Sequence, residues 1–147
     1  MGKYSEQRAN KKAERHAYQT SRPAPGSGKA PAITTVAQAP NVSVSFRYAE
    51  PGGKQCLSQC GSDHTKDVID TLRILCSLTW TQVHGHKGLG WCEIPDHSIS
   101  FTRPQEIDQQ IKIAEIRCSQ KGRIWGFNQR TVFHILWFDP DHDGTGR

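Results

Sequence analysis

The sequence predicts an α+β domain: one long helix packed on a mostly antiparallel sheet, with a disordered basic N-terminal tail. Three observations carry this. The last third contains IKIAEIRCS, GRIWGFNQ and RTVFHILWFDPDH, three runs rich in β-branched and aromatic residues that stand almost end to end. Residues 119–122 and 128–130 divide them, so they read as three consecutive antiparallel strands. Residues 66–83 carry apolar side chains at spacings of three and four, the pattern of an amphipathic helix. Charge is unevenly placed: residues 1–40 hold seven Lys/Arg against two Glu (7 − 2 = +5), and residues 41–147 hold twelve of each sign.

The elements follow in order. The tail and its linker span residues 1–41. They run from a Lys/Arg/Gln/Ala stretch, compatible with a transient helix over residues 7–18, into the Pro/Gly/Ser-rich SRPAPGSGKAPA. So few apolar anchors cannot offset the entropy of ordering the backbone. The domain is expected over residues 42–147. Residues 42–48 alternate Val42, Val44, Phe46 and Tyr48 with Ser43, Ser45 and Arg47, which predicts a half-buried strand. EPGGKQ is a turn or loop. Ser62, Asp63 and Thr65 offer caps for the helix, and Asp67 suits its first turn. Val68, Leu72, Leu75, Thr79 and Val83 form the apolar stripe, widened by Ile69, Cys76 and Leu78. The helix must stop at HGHKGLG. Residues 91–94 suit a short extended piece, and residues 104–110 a short helix with Pro104 in its first turn. The three strands follow, each apolar on both faces near its middle. The final DGTGR is too Gly-rich to be ordered by itself.

Composition narrows the function classes. The net charge of +5 belongs wholly to the first forty residues, so the pI near 9 describes the tail and not the domain. The basic run is either a solubilising leader or a non-specific, salt-sensitive attractor of phosphate. No segment approaches the roughly 20 apolar residues of a membrane span. No apolar stretch follows the N-terminal charges as in a secretory signal. A cytoplasmic location is expected, with five cysteines kept reduced and no disulfide framework.

There is no strong catalytic motif. His134, within the last strand, is either a structural histidine hydrogen-bonded to a carbonyl or a general acid or base. Asp139 and His142 in WFDPDH either end a strand or face a substrate. Arg117, Lys121 and Arg123 flank one tight turn, which brings strand-end charges together. His84, His86 and Lys87 lie in the glycine loop, where cations and backbone N–H groups can approach a phosphate. Trp91 is either core or a platform for a base. Cys56, Cys60 and His64 form C-x3-C-x3-H, open to a zinc reading with Cys92, His84 or His97 as fourth ligand, although structural zinc favours tighter spacing. The reading taken is no metal and no cofactor.

One strand, a helix, a loop and three antiparallel strands ending in Arg, Lys and His resembles the RelE/ParE superfamily of bacterial toxins. GRIWGFNQRTVFHILWFDPDH also resembles the C-termini of small uncharacterised bacterial and phage proteins. The resemblance covers roughly residues 44–142. It implies an endoribonuclease that cleaves single-stranded RNA or mRNA, on the ribosome in some members, by metal-independent acid–base chemistry, with an antitoxin protein as partner. On that basis His134 or His142 acts as base or acid, and Arg117 and Arg123 stabilise the phosphate. Lys121, His84, His86, Lys87 and Trp91 hold the strand. The folded part departs from the pattern in being charge-neutral, and its second helix follows a long loop. The competing expectation is a non-enzymatic phage or mobile-element protein that docks on nucleic acid or a host protein. A zinc-stabilised domain comes third.

Overall fold

A computed structural model describes residues 39–145. All but the last three residues of the expected tail lie outside the described residues, as does the transient helix over residues 7–18. The elements are β1 (Ser43–Ser45), α1 (Ser62–Cys76), α2 (Trp80–Gly85), β2 (Cys92–Glu93), β3 (Ala114–Arg117), β4 (Arg123–Gln129) and β5 (Val132–Asp139), with 3-10 turns at Leu57–Gln59 and Asp96–Ser98. The sheet order is β1-β5-β4-β3-β2. β1 runs parallel to β5, and every other pair is antiparallel. The fold class is α+β.

The expected single helix over residues 66–83 is two helices. α1 has 15 residues, and Ser77, Leu78 and Thr79 interrupt the run. The cause is local. Thr79 accepts a hydrogen bond from the Gln82 N–H while the Gln82 side chain accepts from the Thr79 N–H, a capping box that starts α2. The first strand is also shorter than expected. The Val42 N–H donates to the Leu78 carbonyl, and Phe46 is 53% exposed against Phe138 and not inward-facing. Residues 104–110 form turns and not a helix, tied by Arg103, which bonds the Asp108 and Ile111 carbonyls and the Asp96 carboxylate. DGTGR is ordered at its start: the Gly144 N–H donates to Asp139, and Thr145 bridges Ile99.

Apolar side chains cover both faces of the sheet. On one, Val68, Leu72 and Leu75 of α1 meet Ile116, Ile124, Phe133, Ile135 and Phe138. On the other, Trp125, Phe127, Leu136 and Trp137 meet Ile107 and Ile113, with Ile94, Ile99, Phe101 and Ile111 closing over them. Fully burying each such side chain contributes roughly 1.5–3 kcal/mol.

Strict alternation in β5 would place Leu136 with Phe138, and Trp137 with Ile135. The register differs. Trp125 pairs Trp137 but Gly126 pairs Ile135, so Leu136 is a bulge residue. Ile135 and Phe138 therefore face α1, whereas Leu136 and Trp137 both face the opposite core. Gly126 makes this possible. A Cβ there would meet the His134 carbonyl oxygen, and the Phe133 ring at 2.8 Å. β4 and β5 join through residues 130–131, with Arg130 at φ +57°.

Candidate active site

The β3–β4 hairpin brings the strand-end charges together. Arg117 pairs with Arg123 across the ladder, Glu115 with Trp125, and Arg123 with Asp139 on its other side. Alternation puts Glu115, Arg123 and Trp125 on the face away from α1. There the Glu115 carboxylate stands between a guanidinium and an imidazole. Its Oε1 lies 3.6 Å from Arg123 Nε, and its Oε2 lies 3.3 Å from His142 Nε2. Side-chain exposures are 11% for Arg123, 12% for Glu115 and 26% for His142, so the cluster is sheltered. A buried carboxylate needs such partners to stay ionised.

Two scaffolds fix the geometry. Arg123 Nη1 donates to the carbonyls of Ser119, Lys121 and Gly122, which locks the guanidinium to its own turn. Asp139, 2% exposed, accepts from Trp125 Nε1 at 3.2 Å and from the Asp143 and Gly144 N–H groups at 2.8 and 2.9 Å. That knot folds the segment after β5 back on the sheet and carries His142, at φ +63°, to Glu115. Glu115 Oε2 and His142 Nε2 are both buried and face each other, and neither has a further hydrogen-bond partner.

The other expected residues divide into three places. Arg117 is exposed at the same strand end and borders a cavity of about 230 Å³ with His86, Leu89 and Ser119. Its N–H donates to the Leu89 carbonyl, and His86 Nδ1 accepts from the Leu89 N–H. Lys121 and Lys87 are exposed on the neighbouring turn and loop. His84 and Trp91 belong to an aromatic cluster with Trp80. Trp91 meets Trp80 at 5.1 Å, His84 at 5.5 Å and Phe133 at 5.9 Å, so it packs inward on the α1 side. His134 is apart from the cluster. It stacks on Phe127 at 4.8 Å beside Tyr48 and has an unpartnered buried Nδ1. Burial, and then the nearby Arg47, push its pKa down. Phe127 is four residues along β4 from Arg123, about 13 Å at 3.3 Å per residue, with the buried Trp125 between them.

Of the four expected catalytic residues, Arg117, Arg123 and His142 gather at one end of the sheet and His134 lies at the other. The sequence reading missed Glu115 as a functional residue. Its signal was present: a carboxylate in a run whose neighbours Ile113, Ala114 and Ile116 are apolar. Cys56, Cys60 and His64 do not converge. The His64 ring turns toward Gly122 and Ser119, and no group of three or more His, Cys, Asp or Glu able to hold a metal exists among the described residues.

A second concavity, about 690 Å³, lies beyond Tyr48 and is lined by Arg47, Glu50, Gln55, Phe101, Glu106 and Trp137, among others. No described helix is long and apolar enough to cross a membrane. Comparisons with protein-family models, curated proteins and solved structures returned no match.

Proposed function

We propose that this chain is a RelE/ParE-like endoribonuclease that cleaves single-stranded RNA by metal-independent acid–base chemistry. The observation that carries the proposal is the Glu115 carboxylate held between Arg123 and His142. Cleavage of RNA by its own 2′-hydroxyl needs a base near that oxygen, an acid near the leaving 5′-oxygen, and positive charge at the phosphate. Glu115 takes the 2′-hydroxyl proton, and the oxygen attacks phosphorus. Arg123, assisted by Arg117, offsets the charge on the phosphorane. His142 returns a proton to the departing 5′-oxygen, leaving a 2′,3′-cyclic phosphate. Arg117, Lys87 and Lys121 are exposed cations at that end of the sheet, a track that suits a phosphodiester backbone. An antitoxin would cover that track, and the reaction belongs in the cytoplasm.

The test is incubation of the purified chain with a single-stranded RNA oligonucleotide and a chelator. Cyclic-phosphate products are expected from RNA and none from its 2′-O-methyl analogue. Glu115→Gln and His142→Gln should each slow cleavage by about 10²-fold or more while retaining the fold by circular dichroism. Cleavage by both variants at the parent rate would remove the assignment.

One observation favours the docking reading instead. The 690 Å³ cavity combines Tyr48, Phe101 and Trp137 with two carboxylates, Glu50 and Glu106, against the single cation Arg47. Such a lining repels phosphate and suits a protein segment that bears a basic side chain. Under that reading RNA stays intact, and the double variant E50Q/E106Q loses affinity for Arg-containing peptides.

A further inference from the structure

We infer that Cys56 is a modification site: a thiol that hydrogen peroxide oxidises and that Cys60 then resolves as a disulfide. The two cysteines bracket the 3-10 turn Leu57–Gln59, Cys56 as its N-cap and Cys60 as its C-cap. Hydrogen-bond donors surround the Cys56 sulfur. The Ser58 hydroxyl donates to it at 3.1 Å. The backbone N–H groups of Ser58 and Gly52 also point toward it, and these donors together outweigh the nearby Glu50 carboxylate and hold its pKa below the usual thiol range. Donors of this kind stabilise a thiolate, and the thiolate is the reactive form. Cys56 is half-exposed, so a small oxidant reaches it.

Cys60 has the complementary character. Its Sγ lies 3.8 Å from the Cys56 carbonyl oxygen, which also accepts the Gln59 N–H across the turn. Burial and the neighbouring Cys56 push its pKa up, so it stays protonated and does not compete for the oxidant. The other thiols lack such an arrangement. Burial raises Cys76, and pushes Cys118 up to about 12. Cys92 is exposed, and its own thiol donates to the Glu93 carbonyl.

The chemistry balances. The Cys56 thiolate attacks one peroxide oxygen and the O–O bond breaks. Hydroxide leaves and is protonated to water, with Cys56 now a sulfenic acid. The Cys60 sulfur attacks the Cys56 sulfur as its proton departs, the S–O bond breaks, and a second water leaves. Two thiols lose two electrons and one peroxide gains them. The site adjoins the larger cavity through Gln55, the residue before Cys56. The Gln55 carbonyl accepts the Phe138 N–H, and Glu50, Pro51 and Gln55 all line that space. Closing the disulfide would therefore tighten one rim of it.

The inference is independent of any ribonuclease activity. The full chain is treated with limiting hydrogen peroxide at neutral pH in the presence of a sulfenic-acid trap, then digested and read by mass spectrometry. Wild type should give a Cys56–Cys60 disulfide, and Cys60→Ser a trapped adduct at Cys56. Cys56 should react several-fold faster than the exposed Cys92 of the same molecule, and Ser58→Ala should bring the two rates together. Equal rates for Cys56 and Cys92 in the parent chain, or a trapped Cys56 adduct that persists with Cys60 present, would overturn the inference.

Discussion

The Asp139 knot gives the sharpest quantitative expectation. In Asp139→Asn the amide oxygen can replace only one carboxylate oxygen. Placed where Oδ2 stands, it keeps the bonds from Trp125 Nε1 and the Gly144 N–H. The amide nitrogen then faces the Asp143 N–H, donor against donor, and that bond is lost. A hydrogen bond to a charged group is worth about 1.5–3 kcal/mol and a neutral one about 1. Losing one and weakening two gives a destabilisation of about 3 kcal/mol. For a domain near 100 residues each kcal/mol shifts Tm by about 4–8 °C, so Tm should fall by about 15 °C. Thermal unfolding followed by circular dichroism reads this directly. RNA cleavage should fall as well, below the melting range, because the segment that brings His142 to Glu115 is no longer held. A drop in Tm of less than about 3 °C would show that this carboxylate does not anchor the C-terminal segment, and the account of how His142 is positioned would fall with it.

Other outcomes follow from the same geometry. Glu115→Gln should lower kcat by about 10²–10⁴, the usual loss of a general base, with KM for RNA nearly unchanged; a mainly KM effect would assign Glu115 to binding. His134→Gln should leave kcat within a few-fold of the parent, and abolished cleavage would return that residue to the active centre. Because burial lowers the folded pKa of His134, the unfolded chain binds the extra proton as pH falls through about 6.5. Its contribution to stability is therefore present at neutral pH and lost on acidification. The parent's Tm should drop between pH 7.5 and 5, and His134→Phe should flatten that profile; an unchanged slope would refute this. Gly126→Ala should destabilise by about 1–3 kcal/mol, against the small gain expected at an ordinary strand position, since the added methyl meets a backbone carbonyl; a higher urea midpoint for this variant would count against the bulge.

Some of this architecture is legible in the sequence, and the physical reason is locality. Arg123, Trp125 and Phe127 alternate with Ile124 and Gly126, and the strand follows that alternation along its length. The tight turn before Arg123 predicted that Arg117, Lys121 and Arg123 would meet at one end, and a hairpin of that length leaves little choice. The failures are where one residue alters a regular pattern. Thr79 fits the apolar stripe by spacing, yet its hydroxyl and Gln82 start a new helix. Leu136 shifts the faces of β5 because Gly126 allows its partner to close in. Glu115 was readable only as a charge in an apolar strand, since the two groups beside it come from eight and 27 residues further along the chain, as numbered in the sequence. His134 attracted the catalytic reading through its residue type alone, and packing between two aromatic rings is a tertiary fact that no local pattern encodes.

The bulge has a consequence for how this strand can change. Leu136 is the one unit of β5 without a rung of its own, so the residues before and after it keep the same faces whether it is there or not. Removing it would let Ile135 and Trp137 become ordinary neighbours in an unbroken ribbon, with Phe138 still turned toward α1 and Asp139 still beside Arg123. The strand thus tolerates a change of length by one at this point without scrambling either oily layer, at the cost of a leucine-sized gap and of the carbonyl that accepts the Glu50 N–H.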